Sequence, residues 1–226
     1  MSDSSHEPMR EVRDRLVLAA LPHVPFDGWS RHALSEAAKD AGYDQTMGER
    51  AFPGGPVNAV EHFSEMADRR LAEAAAVAGL DKLRLPQRLS WLVMHRLEDW
   101  AGHREAMRRA VTFLSLPNNS LAALRCTWRT VDTIWYAAGD LSADFSFYTK
   151  RATLAAVYSS TLFYWIEDES DDFADTRDFL ERRLAEAGQL PKLRATLRQR
   201  FEQLPNPLHL LFEKGAVRRH FGVKRL

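Results

Sequence analysis

Apolar residues three and four positions apart recur along almost the whole chain, and no segment alternates apolar and polar residues between turn residues. Such spacing gathers apolar side chains into one stripe of a helix but scatters them over both faces of a strand, so an all-α bundle of about ten helices is predicted. The first helix covers about 9–21 and stops at Pro22. The second has Ser30 as its N-cap, buries Leu34, Ala37 and Ala41, and ends at Gly42. A short third helix covers about 45–51. Gly54 and Gly55 then break the chain, and Pro56 suits the first turn of a long helix whose stripe is Val60, Phe63, Ala67, Leu71, Ala74 and Ala78. Later helices are expected near 86–101, 105–114, 121–138, 144–166, 175–187 and 191–204, separated by Pro, Gly and Asn clusters. The 144–166 segment is apolar nearly all round, so it is expected to lie buried on several sides at the centre of the fold.

Composition narrows the function classes. With 226 residues, 45% hydrophobic and 27% charged, the chain can bury a large core. The single cysteine, Cys126, cannot close an intramolecular disulfide, and the first 14 residues have neither a signal-peptide nor a transit-peptide pattern, so an intracellular setting is expected. The longest uncharged run, 152–166, falls short of the ~20 residues that cross a bilayer. The zero net charge is unevenly spread: 191–226 carries nine Lys and Arg against Glu202 and Glu213. A basic end of this kind seeks anionic lipid, nucleic acid or an acidic partner, and charge alone does not choose.

Motifs for catalysis are missing. The chain has no Gly-rich phosphate loop, no G-x-S-x-G and no H-E-x-x-H, and no histidine has a glutamate three residues before it, as a di-iron helix pair requires. The acidic run 167–172 lacks the glycine and spacing of a calcium loop and fits a helix N-terminus better. No enzyme, metal site or cofactor is therefore predicted. Aromatic density is the stronger signal: Trp128 and Trp135 lie seven apart, and Phe147, Tyr148, Tyr158, Phe163, Tyr164 and Trp165 fill the next helix. Rings at this density make either an ordinary core or the wall of an apolar cavity. Near the end, Leu193, Leu197, Phe201 and Leu204 share a stripe with Arg194, Arg198 and Arg200 off it; this amphipathic helix docks either on the body or on a membrane surface.

Three short helices, one long helix and then a bundle is the layout of TetR-type regulators, whose second and third helices form a helix-turn-helix. Here 27–56 holds five acids against Arg31, Lys39 and Arg50, a field that repels DNA, so the helix-turn-helix is read as degenerate. A TetR-type transcriptional regulator with a hydrophobic effector stays the alternative reading.

Four segments carry a family likeness: 19–38 (AALPHVPFDGWSRHALSEAA), 50–63 (RAFPGGPVNAVEHF), 131–162 (VDTIWYAAGDLSADFSFYTKRATLAAVYSSTL) and 168–184 (DESDDFADTRDFLERRL). Together they resemble the family of the ninth accessory protein of coenzyme Q biosynthesis, also called the RpsU-divergently transcribed family. The resemblance implies a TetR-like dimeric fold and a non-catalytic protein. It implies that the protein binds isoprenoid quinone intermediates and presents them to the demethoxyubiquinone hydroxylase at the membrane. With the aromatic density it points to a lipid-binding set of Trp128, Phe147, Tyr148, Tyr158, Leu162, Phe163 and Trp165, and residue by residue it implies a hydroxylase-facing set of Ile134, Trp135 and Tyr136. The domain reading that follows is a degenerate helix-turn-helix at 9–55, a lipid-binding and dimerisation core at 56–190, and a basic amphipathic segment at 191–226. Residues Leu193, Arg194, Leu197, Arg198, Arg200, Phe201 and Leu204 are expected to meet the inner face of a bacterial membrane from the cytoplasm. The partners expected are the lipid, the hydroxylase, the membrane surface and a second copy of the chain, without nucleic acid.

Overall fold

The fold comes from a computed structural model that describes residues 8–140 and 146–202, with side chains for 8–140 and 147–188. Ten α-helices follow one another with no strand among the described residues: α1 (Met9–Ala20), α2 (Val24–Asp27), α3 (Arg31–Asp40), α4 (Met47–Ala51), α5 (Pro56–Val77), α6 (Leu85–Glu98), α7 (Arg104–Leu114), α8 (Ser120–Ala137), α9 (Ser146–Glu167) and α10 (Ala174–Glu202). Met1–Ala187 forms one compact unit and Gly188–Leu226 a second.

Local chemistry sets the boundaries. The Ser30 hydroxyl accepts from Ala33 N–H at 3.1 Å and starts α3. At its other end Gly42 takes φ +78°, and Tyr43 N–H donates to Ala38 O at 2.8 Å, closing a Schellman turn. Gly55, at φ +75°, hands the chain to Pro56 at the first turn of α5. Gly48 of α4 lies against the backbone of Leu34 on α3; a Cβ there would come within 2.9 Å of the Leu34 carbonyl oxygen.

In the first unit, α1 packs on α3, α4 and α5, and α5 runs through the middle against α8, α6 and α1. The other side is closed by α7 and α9, which contact each other and α8. Trp29, ahead of α3, donates its indole N–H to Ala106 O of α7 at 3.2 Å and stacks near Phe63, which meets Trp100 edge-on at 4.7 Å. This chain of rings joins the N-terminal helices to the body.

One helix is unexpected and three expectations change. The helix α2 carries no apolar period because it is one turn long, and only Val24 of it is buried. The stripe predicted for α5 ends early: Leu71 is buried, but Ala74 is half-buried and Ala78, just past the helix, is exposed. Separate helices at 175–187 and 191–204 are instead one run of helical backbone through Pro191. Proline removes a single amide donor, and Gly188, Gln189 and Leu190 offer no Ser, Thr, Asp or Asn to cap a new start. Finally, α9 is not buried all round. Its main contacts are with α8, α7 and α6, Tyr164 stacks on Phe179 of α10, and Tyr148, Ala152, Ala156 and Phe163 are exposed.

Candidate functional site

The seven residues expected around a lipid do not converge on one cavity. Trp128 and Tyr148 lie 6.5 Å apart, with Phe147 edge-on to Tyr148 at 5.1 Å, in a cluster at the start of α9 where Tyr148 is largely exposed. Trp165 is fully buried elsewhere, beside Phe173 and under the guanidinium of Arg104. Phe163 is exposed and lines an open groove of about 550 Å³ with Tyr164, Glu167, Glu169 and Asp175. Tyr158 and Leu162, four residues apart on α9, are the two that meet at an interior cavity.

That cavity, of about 70 Å³, lies between α5, α6, α7, α8 and α9. Its apolar wall includes Val60, Phe63, Met107, Ala110 and Val111, with Leu114 and Leu162 half-buried on the outer side. Its polar wall is Ser64, Arg96, Cys126, Thr127, Thr130 and Tyr158, of which the sequence pointed to Tyr158 alone. The spacing held a signal: Ser64 and Asp68 fall four apart on the inner face of α5, and Arg96 interrupts the buried run of Leu92, Val93, Met94 and Leu97.

The polar wall is tightly organised. Asp68, 3% exposed, accepts from Arg96 Nε at 3.0 Å, from the Thr130 hydroxyl at 2.8 Å and from Arg129 Nε at 3.2 Å. Arg96 is equally buried and also donates through Nη2 to the Ser64 carbonyl at 3.3 Å. Its other terminal nitrogen, Nη1, has no hydrogen-bond partner. Burial pushes the Tyr158 phenol above its ordinary pKa and outweighs Arg96 and Thr130, which pull it down, so Tyr158 stays protonated. Burial raises the Cys126 thiol as well, which keeps it a neutral wall group rather than a nucleophile.

At the end of α8, Ile134 is fully buried and Trp135 is 7% exposed, whereas Tyr136 is 73% exposed. Adjacent helical positions cannot point the same way, so the three divide between core and surface. Lys150 Nζ sits 5.7 Å from the Trp135 ring and 3.0 Å from Asp140, and buried Arg151 pairs with Asp132 at 2.7 Å. Lys150 and Arg151 thus form ion pairs between α9 and the end of α8. Of the membrane-facing set, Leu193, Arg194, Leu197, Arg198, Arg200 and Phe201 lie on helical backbone whose side chains are outside the description, and Leu204 lies outside the described residues altogether. No described helix is long and apolar enough to cross a membrane.

Comparison with known proteins adds a family and a fold. A family model described as COQ9 matches residues 121–191. Human "Ubiquinone biosynthesis protein COQ9, mitochondrial" is 32% identical over 192 residues, covering 82% of this chain and 60% of that protein. The Schizosaccharomyces pombe protein of the same name is 30% identical over 179 residues, covering 77% of this chain and 69% of the relative. The chain thus spans about 60% of the length of the animal relatives it matches. Among solved structures, a TetR transcriptional regulator from Nitrosomonas europaea superposes with a TM-score of 0.64 over 79% of this chain and 98% of that one, at 24% identity. At that identity the likeness concerns the all-α TetR-like fold alone.

Proposed function

This chain belongs to the COQ9 family, and from that premise we propose that it serves ubiquinone biosynthesis as a non-catalytic protein that binds an isoprenoid quinone intermediate and presents it to the demethoxyubiquinone hydroxylase. The observation that carries this reading is the cavity between α5 and α9, with apolar residues from three helices and Leu114 and Leu162 towards its outer side. At about 70 Å³ it is smaller than the roughly 300 Å³ of an ordinary small-molecule site. Housing a prenyl tail requires α7 and α9 to part along the apolar contact of Val111 and Leu114 with Leu162, away from the end where Arg104 and Arg108 hold the Ile166 carbonyl.

The other parts of the proposal have their own supports. Tyr136 is the contact residue for the hydroxylase, with Trp135 and Ile134 holding its helix end from below; its 73% exposure supports this role. A second copy of the chain covers the exposed side of α9 around Tyr148 and Phe163 in a homodimer. The domain division is 9–55, 56–190 and 191–226, the last lying on the inner face of a bacterial membrane through its basic amphipathic stripe. DNA is not a partner, because α4 is five residues long and Arg31 on the neighbouring helix is paired with Glu49 at 3.2 Å.

Organic extraction of the purified protein, followed by mass spectrometry, tests the central claim. Quinone or another isoprenoid is expected from the wild type and is expected to fall severalfold in Ala110→Phe, which places a ring in the cavity. Extracts free of such lipid, or equal from both proteins, would reject it.

A further inference from the structure

The polarity of the cavity is distributed in an unexpected order. Its buried lining is partly polar: Arg96, Thr130 and Tyr158 are 3%, 1% and 5% exposed, as deep as Val60 and Phe63. Its half-buried lining is Val111, Leu114 and Leu162 with Ser64 and Thr127. A cavity meant only for a hydrocarbon end has no use for a buried guanidinium at its depth, since removing a charge from water is costly and a paired charge is at best neutral for stability.

The hydrogen bonds show which donor remains to be used. The two carboxylate oxygens of Asp68 already take Arg96, Thr130 and Arg129, and the Ser64 carbonyl takes Arg96 Nη2. The Thr130 hydroxyl donates to Asp68. Arg96 Nη1 is the donor left over, on a side chain that lines the cavity. Arginine cannot shed its charge, so the site keeps a permanent demand for an acceptor. A charged donor of this kind disfavours a cationic guest and suits a carbonyl, methoxy or phenolic oxygen.

We propose that Arg96, with Thr130 and Tyr158 beside it, is the receptor for a ring oxygen of the ligand, so that an oxygen-bearing aromatic head group enters first and its prenyl tail trails out past Val111, Leu114 and Leu162. This rests on the reading of the chain as a binder of quinone intermediates, and adds which end is held. An apolar cavity that takes a benzene ring measures about 150 Å³, so the existing space admits the oxygen-bearing edge and the rest of the ring follows when Leu114 and Leu162 shift. A head group held this way is shielded until released, so presentation to a partner starts with loss of the Arg96 contact.

Two ligands with the same tail and ring size separate the ideas on the full-length protein: geranyl-1,4-benzoquinone and the oxygen-free geranylbenzene, their affinities measured by calorimetry. The quinone is expected to bind about 10-fold tighter or more, the usual worth of a hydrogen bond to a charged donor. In the paired variant Asp68→Leu/Arg96→Met, which removes both buried charges together, that advantage is expected to vanish while geranylbenzene binds as before. Equal affinities for the wild type would overturn the proposal and leave the broader lipid-binding reading standing. Failure of both ligands to bind would sink both. A paired variant that weakens the two ligands alike would also overturn it. Should that variant not fold, the wild-type comparison alone decides.

Discussion

The helices before Gly55 and the body after it treat charge in opposite ways. From α1 to α4 the buried side chains are apolar, including Leu16, Val17, Leu21, Leu34 and Phe52, and the ion pairs His23–Asp40, Arg31–Glu49 and Lys39–Glu36 lie at the surface. Among the described residues, every buried polar or charged side chain sits at His62 or later: His62, Asp68, Arg96, Thr130, Arg151, Thr161, Asp168 and Thr176. The first region follows the ordinary rule for a folded core, while the second departs from it. Departures of this kind mark the part of a molecule where stability is not the sole requirement.

The contrast can be broken most forcefully at Asp68. Asp68→Ala leaves the Arg96 guanidinium buried beside Arg129 with no carboxylate, and is expected to destabilise by about 3–5 kcal/mol in urea denaturation. Asp68→Leu/Arg96→Met is expected to recover most of that loss; a single variant within about 1 kcal/mol of wild type would mean the pair is well hydrated. In the N-terminal region, Leu16→Ala removes a fully buried side chain and is expected to cost about 3 kcal/mol. Lipid recovered per folded molecule should stay unchanged there, and a parallel fall would show that the two regions are coupled.

Acid separates the regions more finely. Burial pushes the Asp168 carboxyl up, but hydrogen bonds from the hydroxyls and backbone amides of Ser170 and Thr176 outweigh it and hold the group at about 2, below its ordinary 3.8. A depressed carboxylate contributes stability above its ordinary value and loses it as pH falls through the folded one. The stability gap between wild type and Asp168→Asn is therefore expected to be about 2 kcal/mol at pH 7 and to close between pH 4 and pH 2. A gap independent of pH would assign the effect to packing. The smallest change is expected for Arg31→Ala, where both partners are more than half exposed; a loss above about 0.5 kcal/mol in thermal unfolding would give the outer pairs a weight the comparison denies them.

Helices were legible in the sequence because their stripes are long and their stops are chemical: Ser30, Gly42, Gly55 with Pro56, and Gly79 act within a few residues of where they stand. The candidate site was less so. Aromatic density suggested a single cluster from Trp128 to Trp165, yet Trp165 packs with Phe173 and Phe163 faces outward, because about 100° of rotation per residue spreads neighbours around α9. The polar wall draws Ser64, Arg96, Thr130 and Tyr158 from four helices, with Asp68 behind Arg96 and Thr130, and only their meeting in space makes them a group. Tyr158 and Leu162 were anticipated and do reach the cavity; the charges that give it character were not.

Cys126, the chain's sole cysteine, is buried in the wall of that cavity. A reagent too large for the closed space can modify it only during moments when the helices separate, so its labelling rate is a native gauge of how often the interior breathes. Because the thiol stands alone, one mass shift reports one opening site, without any dye or tag. A guest that wedges the gap apart should quicken the reaction, and one that seals it should slow it.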